Sequence, residues 1–311
     1  MKMDNVTAKG VLLLMRPVPL AVWSIPTILL GFVVVQHPAS NWDWALFWAI
    51  IGALVLQGLV THGLNDLYDW QSGTDQTSPG MISGGSKVLN LHLLSMREIW
   101  FLVGAGVIIY GGAAVALASI RGWEVLVWAA TGLTGSVLYS LPPMRLSYRP
   151  LLGEWVALFP AMVSGVIMGA LAASSQWTGG AVWASLWYGT FCVASVMQHH
   201  FSDISADWAS TPQKRTTPAY WLMGRGRSPQ EPVLCYEVLA LTIALAASVF
   251  CSMLFVPTVG ASFAAIAMTG STRLDGGIGH LTRMDLGIKA LVPLTLIAVM
   301  LVKLLVAVRI R

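Results

Sequence analysis

Polar residues in this chain gather into a few short stretches, and the apolar runs between them are long enough to cross a membrane. A hydrocarbon core about 30 Å thick takes roughly 20 helical residues. On that measure the pattern predicts nine spans, at 18–36, 44–64, 98–119, 122–141, 153–173, 180–201, 233–254, 256–270 and 287–308, the eighth being the shortest. The period-two alternation of a membrane barrel is absent. Helices, which satisfy their own backbone groups in lipid, are therefore the expected spanning element. The predicted fold is an all-α integral membrane protein forming one domain over residues 1–311.

Composition points the same way. The chain is 56% hydrophobic and 10% charged, against about 25% charged in soluble proteins. Trp42, Trp44, Trp100, Trp123 and Trp177 fall near predicted span ends, where amphipathic rings favour the interface. No cleavable signal peptide is expected, because the opening stretch carries Lys2, Asp4, Asn5 and Lys9 and leads directly into a full-length apolar segment. Cys192, Cys235 and Cys251 have no metal-ligand spacing and read as packing residues.

Charge sets the expected orientation. With the N-terminus cytoplasmic, only Arg121, Lys303, Arg309 and Arg311 of the 18 Lys and Arg residues fall on the far side. Such a bias follows the positive-inside rule, and it accounts for the net charge of +4 without a nucleic-acid partner. The connections on the basic side are long and polar, so function is expected on the cytoplasmic face. Two of them, 65–97 and 202–231, lie four spans apart and suggest a duplicated four-helix unit.

Those two connections begin with acids. The second span ends in Asn65-Asp66-Leu67-Tyr68-Asp69, with a further acid at Asp75, and the sixth runs into Asp203-Ile204-Ser205-Ala206-Asp207. Spacings of three and four place each pair on one helix face. Carboxylates at the mouth of a membrane bundle are costly unless paired or metal-bound. Solvated helix-end acids would be the ordinary reading of one pair. Two pairs on one face, among only 14 acidic residues, instead call for a cation such as Mg²⁺, which binds a few carboxylates together with substrate phosphate oxygens. Arg145, Arg149, Lys214, Arg215 and Lys87, the last within Ser83-Gly84-Gly85-Ser86-Lys87, lie on the same face. Each alone reads as a positive-inside charge. Beside the acids they form the phosphate side of a metal–diphosphate site.

The paired motifs resemble those of the UbiA superfamily of intramembrane prenyltransferases. So do the opening Arg16-Pro17 and the segment from Tyr139 through Pro142-Pro143, Arg145 and Tyr148-Arg149 to Gly153-Glu154. The resemblance covers nearly the whole chain. It implies nine helices around a central lipid-open cavity, with both acidic motifs binding Mg²⁺ and a polyprenyl diphosphate. In the mechanism it implies, Asn65, Asp66, Asp69, Asp203 and Asp207 hold the metal while Arg16, Lys87, Arg145, Arg149 and Lys214 assist the diphosphate. Tyr139 steadies the allylic cation or bonds the diphosphate, and His62, His199 or His200 acts as base. Adjacent on a helix, His199 and His200 point apart, so at most one is expected to face the cavity.

The first motif is closest to the 1,4-dihydroxy-2-naphthoate branch of menaquinone synthesis, given the five-residue gap from Asp69 to Asp75 and the Ser83–Ser86 stretch. The second departs from that branch: His199 and His200 stand where amides are usual, Trp208 replaces an Arg, and Lys214 comes two residues late. The acceptor stays open among a naphthoate, a benzoate, a homogentisate-like ring and a lipid alcohol. A transporter is the rival class, though it would place its charges nearer the midplane. The expected location is a bacterial or archaeal cell membrane.

Overall fold

In the computed structural model, residues 8–35, 39–80 and 83–309 are described. Lys2, Asp4, Asn5 and Arg311, together with Gln36 at the end of the first predicted span, lie outside them. The chain opens with α1 (Ala8–Met15) and α2 (Pro17–Val33), bent by 48° at their junction. Arg16 forms that junction in the left-handed region at φ 52°, and Pro17 follows at the first helical position, where its missing N–H costs nothing. Then come α3 (Trp42–Ser72), α4 (Met96–Arg121), α5 (Glu124–Ser140), α6 (Gly153–Ser174), α7 (Gly179–Ser202), α8 (Gln230–Phe250), α9 (Met253–Ser271) and α10 (Gly277–Arg309). A capping box starts α4: Ser95 accepts from the Glu98 N–H while the Glu98 carboxylate accepts from the Ser95 N–H.

Among the described residues seven helices are long and apolar enough to span, or eight when the bent α1–α2 pair is one span. The difference from nine lies at α5. Its 17 residues rise only about 25 Å, less than the hydrocarbon core. The final helix departs further from expectation, beginning at Gly277 and not at 287. Arg283, outside the predicted span, is therefore helical, and Lys289, near the start of that span, is wholly buried.

The helix α7 forms the centre. Its most apolar stretch is 78% buried, against 22–33% for α3, α4, α8, α9 and α10, whose outer faces remain apolar for lipid. Trp187, Tyr188 and Phe191 of α7 are fully buried. The Trp187 indole donates to Ser262 at 3.0 Å and the Tyr188 hydroxyl to the Trp23 carbonyl at 2.8 Å, so both polar handles are satisfied. Where α2 crosses α6, Gly31 and Gly169 bring backbones together. A Cβ on Gly31 would lie 1.8 Å from the Val166 carbonyl oxygen, and one on Gly169 2.0 Å from that of Ile28. Small residues at such crossings give membrane helices their packing energy.

Candidate active site

Three of the four stretches of π-helix among the described residues, Leu20–Ser24 in α2, Leu56–Thr61 in α3 and Gly153–Leu158 in α6, interrupt spanning helices. Each supplies walls of one central cavity: Trp23 and Ser24, Gln57 and Thr61, Ala157 and Leu158. Such bulges concentrate at functional sites because they re-aim side chains that an unbroken helix would turn away. The cavity, about 170 Å³, is polar at one end, with Arg16, Asn65, Asp69 and Lys214, and apolar at the other, toward Ile28, Tyr110 and Met168.

At the polar end the acids are buried: Asp66, Asp69, Asp203 and Asp207 are at most 3% exposed. Asp66 is paired with Arg16 and accepts from the Ser86 hydroxyl and, at 3.2 Å, from the Ser86 N–H. The Gly-rich stretch thus does hold an anion, and that anion is the Asp66 carboxylate. Asp69 accepts from Lys214 Nζ at 2.7 Å, from Asn65 Nδ2 at 2.7 Å and from the Tyr148 hydroxyl at 2.8 Å. Asp203 accepts from the Ser78 hydroxyl. Asp207 lies 3.6 Å from Lys214 Nζ and accepts from Thr216 at 2.9 Å. Residues 203 and 207 do not share one straight helix. The winding tightens to a 3₁₀ turn at His200–Ser202 and restarts at Ile204, so Asp203 meets the Ser78 loop while Asp207 meets Lys214.

Burial alone would push the Asp207 carboxyl up, but the Lys214 ammonium, with His200 and Thr216, holds it below the ordinary range. Burial alone would likewise pull Lys214 down, yet Asp207 and Asp69 hold it well above an ordinary lysine. Asp75 goes the other way. Burial first, then its neighbours Asp69 and Asp66, push its carboxyl well up, which fits a site already crowded with negative charge.

The cavity also gathers Tyr139, His62, His199 and His200. Both adjacent histidines line it, contrary to the expectation of at most one, because the 3₁₀ turn after His199 swings His200 back toward the same space. Lys87 does not line this cavity. At φ 62° it donates to the carbonyls of Asp75 and Ser78 at 3.0 and 3.3 Å and so braces the loop that spans the two motifs. Arg145 stacks over Tyr68 and Tyr148, 4.8 and 5.2 Å from their ring centres. Arg149 is exposed and points at the Pro143 carbonyl, outside the site.

Sequence reasoning passed over Tyr148, Gln57 and the pair Asp285 and Lys289. For Gln57 and Lys289 the signal was present, since each is a polar residue inside an apolar run. Among the described residues no three His, Cys, Asp or Glu side chains converge to hold a metal ion. The donor set is nonetheless all oxygen, and Asp207 Oδ1 is buried without a hydrogen-bond partner. That is the donor chemistry of a Mg²⁺ ion whose shell is completed by water and phosphate oxygens.

Fold and site together define a multi-pass helical membrane protein with buried carboxylates and cations at the polar mouth of an apolar cavity. Residues 24–274 match the model of the UbiA prenyltransferase family, and the chain belongs to that family. It is a prenyltransferase. No curated protein matches it in sequence. Among solved structures it is similar to a UbiA homologue from Archaeoglobus fulgidus bound to GPP and Mg²⁺, with a TM-score of 0.69 and 16% identity over 94% of this chain and 99% of that one. It is also similar to the apo UbiA homologue from Aeropyrum pernix K1, with a TM-score of 0.65 and 16% identity over 89% and 96%. A digeranylgeranylglyceryl phosphate synthase matches with a TM-score of 0.62 and 13% identity over 94% and 97%. At these identities the likeness is one of fold.

Proposed function

We propose that the chain transfers a prenyl group from a polyprenyl diphosphate to an aromatic acceptor of the 1,4-dihydroxy-2-naphthoate type, with Mg²⁺, at the cytoplasmic face of a cell membrane. One observation carries this reading. A single cavity joins Asp69, Asn65, Arg16 and Lys214 at its polar end to an apolar interior, as a diphosphate head and an isoprenoid tail require. Asn65, Asp66, Asp69, Asp203 and Asp207 would hold Mg²⁺, which when bound offsets the charge of the leaving diphosphate. Arg16 and Lys214 line the cavity beside these acids and supply further positive charge to the same oxygens. Trp23, Tyr139 and the apolar walls exclude water from the allylic cation, and Tyr139 presents a ring to it. The bound state of the UbiA homologue from Archaeoglobus fulgidus, with GPP and Mg²⁺, supports the reading.

The test is transfer from labelled geranylgeranyl diphosphate in purified membranes. A panel of dihydroxynaphthoate, hydroxybenzoate, homogentisate and a glycerol-phosphate lipid alcohol is offered, with and without Mg²⁺. Metal-dependent transfer to dihydroxynaphthoate, lost in Asp66→Ala and Asp203→Ala, is expected. Transfer to the lipid alcohol alone would replace the aromatic acceptor. Turnover with no panel member and no diphosphate binding would overturn the site assignment and favour transport.

A further inference from the structure

The last helix brings a charged pair into the protein interior against the second motif. Lys289 is fully buried and Asp285 is 6% exposed. Lys289 Nζ lies 2.5 Å from Asp285 Oδ2, 2.7 Å from His199 Nδ1 and 5.0 Å from the centre of the Trp23 ring. His199 Nδ1 in turn lies 2.9 Å from the same Asp285 oxygen. A buried ion pair with no structural necessity is expensive. This one fastens a single ring of the central cavity.

Three histidines line that cavity, and they differ in what stands behind them. His62 Nδ1 is 3.1 Å from the Met15 carbonyl oxygen, a group that accepts a hydrogen bond but cannot carry a proton onward. His200 faces Asp207 at 3.5 Å, and a proton passed there would neutralise a carboxylate of the diphosphate site. His199 alone is backed by a carboxylate outside that site. His199 and Asp285 also share the wall of a second cavity of about 10 Å³, lined by Ser83, Ser202 and Thr282, polar and with room for about one water. The imidazole therefore stands between two spaces, one apolar and one polar. Asp285 Oδ1 is buried without a partner.

Resting on the transfer reading above, we propose that His199 is the base that removes the acceptor's proton, with Asp285 relaying it to the small polar cavity and Lys289 as the positioning residue behind them. His199 Nδ1 lies within reach of both an acceptor, Asp285 Oδ2, and a donor, Lys289 Nζ. The relay uses the tautomer that pairs with Asp285, with hydrogen on Nδ1 and a lone pair on Nε2, while Lys289 donates to the carboxylate. The π electrons of the acceptor ring form the new C–C bond as the allylic C–O bond breaks, its electron pair leaving on the diphosphate. The proton on the alkylated ring carbon then passes to Nε2, and its C–H pair restores aromaticity. The Nδ1 proton moves to Asp285 and out through the polar cavity, which returns the ring to its starting state after relaxation of the tautomer. Lys289, donating to Asp285, holds the carboxylate against the imidazole edge and keeps it ionised between turnovers.

The experiment uses the acceptor identified in the transfer assay, unlabelled or deuterated at the alkylated carbon, with full-length protein in membranes. For wild type, no primary isotope effect on kcat is expected. His199→Gln should lower kcat about 100-fold or more, leave the KM for prenyl diphosphate within about threefold of wild type, and expose a primary isotope effect. Asp285→Asn should show the same signature with a smaller loss, and Asp285→Glu should recover part of it; neither change touches the diphosphate site. His62→Gln should show no isotope effect. A His199→Gln enzyme with wild-type kcat, or an isotope effect in His62→Gln and not in the Asp285 variants, would overturn the relay while leaving prenyl transfer intact. Wild-type protein that alkylates no aromatic ring would overturn both.

Discussion

Lys214 is the residue on which the two motifs meet. Its ammonium lies 2.7 Å from Asp69 of α3 and 3.6 Å from Asp207 beyond α7, so one positive charge balances two buried carboxylates. Its pKa is raised above the ordinary 10.5. The stability it adds is therefore complete below that value and lost only as pH rises through the higher folded one. Asp207 is lowered from 3.8, so its share is present above that value and lost as pH falls through the folded one. Between these limits Lys214 and Asp207 add no pH dependence of their own. Lys214→Ala strands both acids and should cost about 3–5 kcal/mol, seen as a fall in the thermal midpoint of detergent-solubilised protein that is equal at pH 6 and pH 9. Adding Asp207→Asn should recover part of the loss, since the two changes share one network. An unchanged midpoint in Lys214→Ala would mean that the cluster does not bear on stability.

At the scale of elements, two devices shape the site. The π-helical turns aim Trp23, Gln57, Thr61 and Leu158 into one space, and the α2–α6 crossing sets how closely two of those turns approach. Gly169 is critical at that crossing because the facing atom is backbone and cannot rotate away. Gly169→Ala should overpack the crossing at a cost of about 1–3 kcal/mol, read as a lowered thermal midpoint. The matched control is Gly104→Ala in α4, where a Cβ meets nothing within 4 Å and helix propensity favours alanine by about 1 kcal/mol. A control that falls as far as Gly169→Ala would remove the crossing as the cause.

Across the whole molecule, charge and helix ends are arranged by side. Of the four cations expected on the far side, Arg121 donates to the Ala172 and Ser40 carbonyls at 2.9 and 3.0 Å, and Lys303 to those of Val33 and Val35 at 2.8 and 2.6 Å. The Ala172 carbonyl lies in the last turn of α6 and those of Val33 and Val35 at or just beyond the end of α2, helix C-termini where positive charge is favoured. In a background with Cys192, Cys235 and Cys251 replaced, a cysteine at exposed Arg225 should react with an impermeant maleimide only after right-side-out vesicles are opened. A cysteine at exposed Gln176 should react in closed vesicles. The reverse pattern would turn the acidic face outward.

The membrane fold, the acidic motifs and their shared face were legible along the chain, because each is local. Apolar run length decides whether a helix can span, and Asp66, Asp69, Asp203 and Asp207 announce themselves by sitting where lipid would reject them. The start of α10 was misplaced for the same physical reason. The stretch from Gly277 to Leu286 is too polar to read as span, yet it is helical, with Asp285 paired to Lys289 inside the protein. Nothing local says that Lys214 lies between Asp69 and Asp207, that Arg16 reaches Asp66 from another helix, or that His199 has Asp285 and Lys289 behind it. Each of those pairings joins residues far apart in sequence. Sequence alone determined that buried charge had to be compensated near one membrane face. Only packing of the helices decided which charge compensates which, because an ion pair is set by distance in space.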